Sequence, residues 1–156
     1  MTFGARAVIR LDALQHNLRV IRKASPDTRI MAVIKANAYG HGMVPVAQSI
    51  SDVDAFAVAR LAEAMELRAA GLETPVVLLA GVVNGDELRE AVREGFHIVV
   101  HCPEQIELLE RHSDGQVIVW LKFDTGMHRL GFDPQQSDEI IQRLRDCAAV
   151  QELRLM

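Results

Sequence analysis

A short run of β-branched residues, a turn and a helical stretch follow one another repeatedly along this chain. Residues 55–60, 75–81 and 97–102 are such runs, and the run at 75–81 is almost wholly apolar. Each precedes a stretch whose apolar residues recur at helical spacing. Near-continuous apolar strands are typical of parallel sheets that helical crossovers cover on both faces. The repeat therefore predicts an α/β fold.

Further strands and the starts of several helices can be read in the same way. The other predicted strands are at residues 7–12, 29–37 and 116–124, and an apolar run at 152–156 ends the chain. Asp12 with Gln15 has the spacing of a helix capping box, as does Asn84 with Glu87. Pro134 is placed to occupy the first position of a helix.

The regular repeat also limits the architecture. A doubly wound open sheet and a (β/α)8 barrel of the TIM-barrel type both alternate strands with helices. No G-x-G-x-x-G sequence follows a predicted strand, and no linker interrupts the repeat, so the barrel is favoured. A complete barrel takes about 250 residues, whereas these 156 residues supply six or seven strands. We therefore expect an incomplete barrel, the N-terminal part of a longer protein; a complete small α/β domain is the alternative.

Composition excludes several classes of protein. With 49% apolar and 24% charged residues the chain is expected to be globular. No apolar run approaches the ~20 residues of a membrane span. The net charge of −4, with dispersed Lys and Arg, argues against a nucleic-acid surface. Cys102 and Cys147 lack metal-site spacing, and the N-terminus lacks a signal-peptide pattern, so we expect a cytoplasmic protein with reduced thiols and no bound metal.

Two lysines stand near the ends of predicted strands. Lys35 precedes the loop "NAYGHG", and Lys122 precedes a loop that contains "TGMHRLG". Active sites of α/β barrels are built where strands end and the following loops begin. A partly desolvated lysine there is a nucleophile that can form a Schiff base with an aldehyde. The plainer alternative is a lysine whose stem packs on the barrel and whose ammonium group reaches solvent.

The two loops carry further candidates. Tyr39, the chain's single tyrosine, offers a hydroxyl to an anion such as phosphate or else fills space at the barrel mouth. His41 is either a proton carrier or an exposed loop residue. In the second loop, Asp124 and Arg129 can form a charge network with Lys122. Arg129 can equally donate to an oxygen of a bound ligand.

Two motifs resemble one family closely. "AVIKANAYGHG" and "LKFDTGMHRLGF" are similar, in that order, to signatures of the bacterial alanine racemases, which are fold-type III pyridoxal-phosphate enzymes. The opening "AVIRLDALQHNL" also resembles the N-terminal segment of these proteins. The resemblance spans nearly the whole chain but only the first part of a family member.

The resemblance implies a domain organisation. Residues 1–28 would form a strand and helix that lead into the barrel, and residues 29–156 would form part of a barrel that binds pyridoxal phosphate. The C-terminal β domain of the family is absent from this chain. In the family the first short strand belongs with that β domain, so the run at 152–156 is expected to start the sixth barrel strand.

The resemblance also implies roles for the candidate residues. Lys35 matches the lysine that forms the Schiff base with pyridoxal phosphate and acts as an acid/base group on the D-alanine side. Tyr39 matches a tyrosine that contacts the cofactor phosphate. Arg129 matches an arginine that hydrogen-bonds the phenolic oxygen of the cofactor. Lys122 matches a supporting lysine, often carbamylated in the family, that holds this arginine in place.

The activity implied is the interconversion of L-alanine and D-alanine by two bases. Lys35 serves one face of the substrate, and a tyrosine from the partner subunit of a homodimer serves the other. That tyrosine is not in this chain, so the isolated 156 residues are expected to be inactive. A racemase of serine or of several amino acids, and a non-catalytic homologue that binds pyridoxal phosphate, are the alternatives. A biosynthetic role in supplying D-alanine to the cell wall and a catabolic role are both compatible with the sequence.

Overall fold

Parallel strands that lie side by side in chain order organise the molecule. The structure, a computed structural model, describes residues 4–112 and 114–156. Within these residues six strands pair in sequence order, each parallel to the next. The strands are β1 (Met31–Val33), β2 (Ala55–Val58), β3 (Val76–Leu78), β4 (His97–Val100), β5 (Val117–Leu121) and β6 (Val150–Leu155).

Helices connect these strands, and none in the described part of the chain is long and apolar enough to cross a membrane. The helices are α1 (Leu11–Ala24), α2 (Lys35–Tyr39), α3 (Met43–Ser49), α4 (Leu61–Ala69), α5 (Gly85–Arg93), α6 (Pro103–Glu110) and α7 (Ser137–Arg145), the last preceded by a 3₁₀ turn at Pro134–Gln136. A doubly wound sheet reverses its strand order at a switch point. The order here runs from β1 to β6 without reversal, which confirms the prediction of an incomplete barrel-type sheet.

The sheet separates two apolar layers because successive side chains of a strand point to opposite faces. On the outer face, Phe56 and Leu78 pack among the helices in the main core. On the inner face, Ala57, Val77 and Val99 form a second, smaller cluster. The inner cluster is small, and one cavity lies on this face at the amino ends of the strands and another at their carboxyl ends.

Capping residues start two helices where the sequence predicts them. Asn84 Oδ1 accepts a hydrogen bond from the backbone N–H of Glu87 at 2.9 Å, at the start of α5. Asp133 Oδ1 accepts one from Gln135 N–H at 2.9 Å, at the start of the 3₁₀ turn. The Glu87 carboxylate accepts from the N–H of Val83 at 3.1 Å. Both helix starts therefore have donors satisfied by nearby side chains.

The predicted strand at residues 7–12 does not form within this chain. Residues 7–10 are in no strand, and α1 begins at Leu11. A β-branched run forms a strand only where a neighbouring strand accepts and donates its backbone hydrogen bonds. The six strands of the described chain place none beside this segment.

The predicted capping box at Asp12 and Gln15 is wrong. Asp12 lies inside the first turn of α1, and its carboxylate accepts a hydrogen bond from the Arg10 guanidinium at 2.7 Å. Gln15 Nε2 donates to the backbone carbonyl of Ser49 at 3.0 Å, which ties α1 to α3. Because the helix begins earlier than the sequence indicated, both side chains are free to bond elsewhere.

A cavity of about 600 Å³ lies on the inner face at the amino ends of the strands. His97, at the start of β4, and Trp120, on β5, line it. The indole N–H of Trp120 donates to Nδ1 of His97 at 3.3 Å, and the Arg154 guanidinium lies 5.1 Å from the centre of the Trp120 ring. An indole N–H can only donate, so Nδ1 of His97 must accept and the imidazole is neutral.

We expect the free energy of unfolding to fall as the pH drops below about 6.5, in part because of His97. Burial lowers the pKa of His97, and the charge of Arg154 lowers it further. The unfolded chain therefore takes up this proton at a higher pH than the folded chain does. Stability from this group is complete above the unfolded pKa and is lost as the pH falls toward the folded pKa.

Urea denaturation across this pH range measures the effect. His97→Gln keeps a hydrogen-bond acceptor for Trp120 but does not titrate, so part of the slope of stability against pH should disappear in this variant. An unchanged slope would show that His97 titrates alike in the folded and unfolded chains.

Candidate active site

A second cavity, of about 320 Å³, lies on the inner face at the carboxyl ends of the strands. Lys35, Lys122 and Arg129 contribute three cationic side chains to its wall. The other lining residues are uncharged: Ala59, Leu79, Ala80, Val99, Leu130 and Met156. Among the described residues no cluster of His, Cys, Asp and Glu is placed to hold a metal ion. An excess of cations at the end of the sheet where barrels hold their active sites suits an anionic ligand.

The alternation of side chains along β5 explains why Lys122 faces this cavity. Trp120 on β5 packs against the inner cluster, and Lys122 follows at the next position on that face, because residues two apart share one face of a strand. Lys35 lies beyond the last residue of β1, Val33, and lines the same cavity from the start of the turn that follows the strand.

The backbone turns left-handed directly after Lys35. Four residues have φ between +52° and +55°: Ala36, Asn37, Ala38 and Tyr39. We refer to these residues, 36–39, as the left-handed turn. This conformation costs L-residues other than glycine about 1–2 kcal/mol each. The predicted strand at 29–37 is therefore too long, because β1 ends at Val33 and the left-handed turn takes the following residues.

Hydrogen bonds hold the first two residues of the left-handed turn. Asn37 Oδ1 accepts from the N–H of Met43 at 2.7 Å, where α3 begins. The N–H of Ala36 donates to Oε1 of Glu63 at 2.6 Å. The second oxygen of Glu63 accepts from the N–H of Ala59 at 2.6 Å. Backbone strain of this kind persists only where surrounding contacts maintain it, and it is concentrated at functional sites.

Sequence reasoning did not single out Glu63. An acidic residue in the first turn of a helix is ordinarily explained by the helix dipole. The contact from Glu63 to the left-handed turn joins residues 27 positions apart and uses a backbone N–H, which every residue but proline has. The only sequence signal was an acidic residue in the first turn of a helix that follows a barrel strand.

Gln105, which the sequence reasoning also missed, binds the backbone of Ala80, a residue of the cavity wall. It is buried, its Nε2 donates to the carbonyl of Ala80 at 2.9 Å, and its Oε1 accepts from the N–H of His101 at 2.9 Å. Gly81 has φ +68°, and a Cβ there would lie 2.3 Å from both Gln105 Nε2 and the carbonyl oxygen of Val99. This close approach requires glycine, and it holds Ala80 at the cavity wall.

Arg129 reaches the cavity on a loop that folds back onto the end of β5. Phe123 and Phe132 form an isolated parallel bridge. Asp124 N–H donates to the carbonyl of Phe132 at 2.9 Å, and Phe132 N–H donates to the carbonyl of Lys122 at 2.9 Å. The loop between these bonds returns Arg129 to the wall that Lys122 also lines.

Asp124 does not join the charge network that the sequence suggested. Its Oδ1 accepts from the N–H groups of His128 at 2.9 Å and Gly126 at 3.0 Å, and its Oδ2 lies 3.4 Å from Nδ1 of His128. These backbone hydrogen bonds, that of His128 foremost, lower the pKa of Asp124. In the described residues its carboxylate is bound by the backbone of its own loop and not by Arg129, because a short loop offers Asp nearby backbone donors.

Tyr39 lies apart from the three cations. Its side chain is 60% exposed, and it lines a separate apolar groove with Leu14 and Val46. His41 lines the same groove, and its Nδ1 lies 2.9 Å from the carbonyl oxygen of Ala38. The structure thus brings three of the four predicted site residues together, and the phosphate contact of Tyr39 stays a prediction.

Comparison of the chain with known proteins identifies its family. The family model described as "Alanine racemase, N-terminal domain" matches residues 9–156. The chain belongs to the alanine racemase family. The cavity lined by Lys35, Lys122 and Arg129, which we refer to as the cationic cavity, has all its lining residues within the matched segment.

Individual relatives agree with the family match. The alanine racemase of Photobacterium profundum is 49% identical over 145 residues, which are 92% of this chain and 40% of that protein. The biosynthetic alanine racemase of Escherichia coli is 46% identical over 150 residues, 96% of this chain and 42% of that protein. The crystal structure of biosynthetic alanine racemase from Pseudomonas aeruginosa is similar at a TM-score of 0.86 and 41% identity, over 93% of this chain and 41% of that chain. This chain therefore spans about two fifths of the length of these relatives.

Proposed function

We propose that this chain supplies the pyridoxal-phosphate-binding part of an alanine racemase, an enzyme that interconverts L-alanine and D-alanine. One observation carries the proposal. The cavity at the carboxyl ends of the strands is lined by two lysines and an arginine, and its described wall has no acidic side chain. The names of the relatives, which are alanine racemases, support alanine as the substrate.

The residues of the cavity fit pyridoxal phosphate by charge, size and chemistry. The cofactor carries an anionic phosphate and an aldehyde, which call for cationic donors and for a primary amine. Lys35, Lys122 and Arg129 offer both kinds of group. The volume of about 320 Å³ is within the range of small-molecule sites, about 300–1,000 Å³. Ala59 and Ala80 contribute only small side chains to the wall.

The predicted site residues have proposed roles, taken from the matching family positions. Lys35 holds the cofactor covalently through its amine, and Arg129 donates a hydrogen bond to the phenolic oxygen. Tyr39 remains the proposed contact of the phosphate. When bound, pyridoxal phosphate supplies an electron sink that acidifies the Cα–H of the substrate.

Lys122 is proposed to support Arg129. Two like charges in the wall of one small cavity repel each other. Carbamylation, which is frequent at this position in the family, turns the lysine into an anion that attracts the guanidinium. Lys122 in that form would hold Arg129 in its donating orientation.

Racemisation needs proton transfer on both faces of Cα, and this chain supplies one of the two groups. With pyridoxal phosphate bound, the Lys35 amine would move the proton on one face. The family uses a tyrosine of the partner subunit for the other face, and the single tyrosine of this chain, Tyr39, matches a different position. We therefore propose that the complete enzyme is a homodimer and that the 156-residue chain alone does not racemise alanine.

Reductive trapping tests the proposal. Borohydride treatment of the full-length protein with pyridoxal phosphate is expected to attach the cofactor irreversibly to Lys35. The 156 residues contain three lysines, Lys23, Lys35 and Lys122, which peptide mass spectrometry distinguishes. Lys23 is exposed on α1 and reports the background level. Labelling chiefly at Lys122, or equally at all three, would contradict the assignment.

A further inference from the structure

We infer that Glu63 is a positioning residue that keeps the amine of Lys35 directed into the cavity, an inference that rests on the proposed function of Lys35. Glu63 lies in the first turn of α4 and is partly buried. It acts on the backbone of two loops, those that follow β1 and β2, and not on the ligand.

A single carboxylate ties these two loops together. Oε1 of Glu63 accepts a hydrogen bond from the N–H of Ala36, the residue next to Lys35, at 2.6 Å. Oε2 accepts from Ala59 N–H at 2.6 Å and from Arg60 N–H at 3.3 Å. Ala59 itself lines the cavity. The carboxylate therefore fixes the backbone beside the amine against a second part of the same wall.

The geometry demands a carboxylate at this position. Backbone N–H groups from two loops converge on both oxygens, and an ionised carboxylate is the side chain that offers two acceptors and no donor. Hydrogen bonds to an ionised acceptor are shorter and stronger than neutral ones. The amino end of α4 adds a favourable field for the negative charge. Glutamine keeps one acceptor oxygen but places an NH₂ group, which cannot accept, against the other N–H.

The left-handed turn is the element that Glu63 holds. Ala36 and Ala38 have β-carbons that disfavour positive φ, so the turn relaxes toward extended or right-handed backbone when its contacts are removed. Lys35 immediately precedes the turn, so any relaxation redirects its side chain. A nucleophilic amine reacts efficiently only when it is held close to the reacting geometry.

The test compares Glu63→Gln and Glu63→Ala with Glu66→Gln in the full-length protein. Glu66 is exposed on the same helix and serves as the matched control. Amide hydrogen exchange over residues 35–42 and the rate of borohydride trapping of pyridoxal phosphate at Lys35 are the readouts. We expect both Glu63 variants to exchange amide hydrogens faster in that segment. The rate of trapping should fall about tenfold in Glu63→Gln and further in Glu63→Ala. Glu66→Gln should behave like the parent in both measurements.

Exchange and trapping together separate positioning from general stability. A purely structural Glu63 would lower the Tm and the exchange protection of the whole protein, and that result overturns the inference. Parent-like exchange over residues 35–42 in Glu63→Gln overturns it too, and this variant suffices if Glu63→Ala does not fold. If the parent itself traps no cofactor at Lys35, the proposed function fails, while the exchange experiment still decides whether Glu63 holds the turn.

Discussion

Lys35→Ala is expected to abolish racemisation of alanine in both directions in the full-length protein. The variant loses the covalent anchor of pyridoxal phosphate and the acid/base group for one face of Cα. A positioned acid/base group by itself raises the reaction rate about 10²–10⁴-fold. Loss of this group together with the covalent anchor should therefore lower the rate of racemisation by more than about 10⁴-fold. Initial rates from L-alanine and from D-alanine, measured separately, give the two values. Both must fall, because each direction needs both proton transfers.

Lys23→Ala is the matched control for this variant. Lys23 is exposed near the end of α1, so its removal should leave both rates at the parent's level. The far-UV circular dichroism of Lys35→Ala should match that of the parent, since Lys35 lines a cavity and is not among the residues of the main apolar core. Turnover that survives in Lys35→Ala, in either direction, would rule out the role proposed for this amine.

Gly131→Ala is expected to lower the free energy of unfolding by about 3 kcal/mol and to displace the loop that carries Arg129. Gly131 has φ +124°, and a Cβ there would lie 2.7 Å from the backbone nitrogen of Asp124 and 2.8 Å from the carbonyl carbon of Phe123. Both atoms belong to the backbone that returns the loop to β5, so they cannot give way as a flexible side chain can. Urea denaturation measures the loss.

Gly126→Ala is the control that separates the cost of a steric clash from the cost of placing alanine at positive φ. Gly126 lies on the same loop with φ +149°, but a Cβ there would meet no atom within 4 Å. It should lose only about 1 kcal/mol, the cost of a strained φ for alanine. Equal losses at Gly126 and Gly131 would show that the close backbone approach at Gly131 is not what limits that position.

The sheet could be predicted from sequence because burial on both faces leaves few choices besides apolar side chains. The run at 75–81 contains β3, and the run at 116–124 contains β5. The run at 7–12 has a similar composition but forms no strand. A single sequence shows which segments favour extended backbone, but it does not show whether a neighbouring strand is there to pair with them.

The residues of the candidate site could be singled out from sequence where they break a pattern. Lys35 and Lys122 are polar exceptions at the ends of apolar runs, and a barrel places such exceptions in its active site. Glu63 breaks no pattern, because its neighbours are backbone N–H groups that leave no trace in the sequence. The left-handed turn could not be predicted from sequence either, because alanine does not favour positive φ. At Ala36 and Ala38 tertiary hydrogen bonds impose this conformation.

The cationic cavity joins distant parts of the polypeptide, since Lys35 follows the first strand and Lys122 follows the fifth. Strands here pair with their neighbours in sequence, so the sheet can grow one strand at a time as the chain leaves the ribosome. The three cationic side chains of the cavity, however, come together only when the fifth strand has paired with the sheet and the loop bearing Arg129 has folded against it. Lys35 is therefore among the first residues of the sheet to be synthesised, yet the candidate site around it is assembled only after the fifth strand and the loop bearing Arg129 have been made.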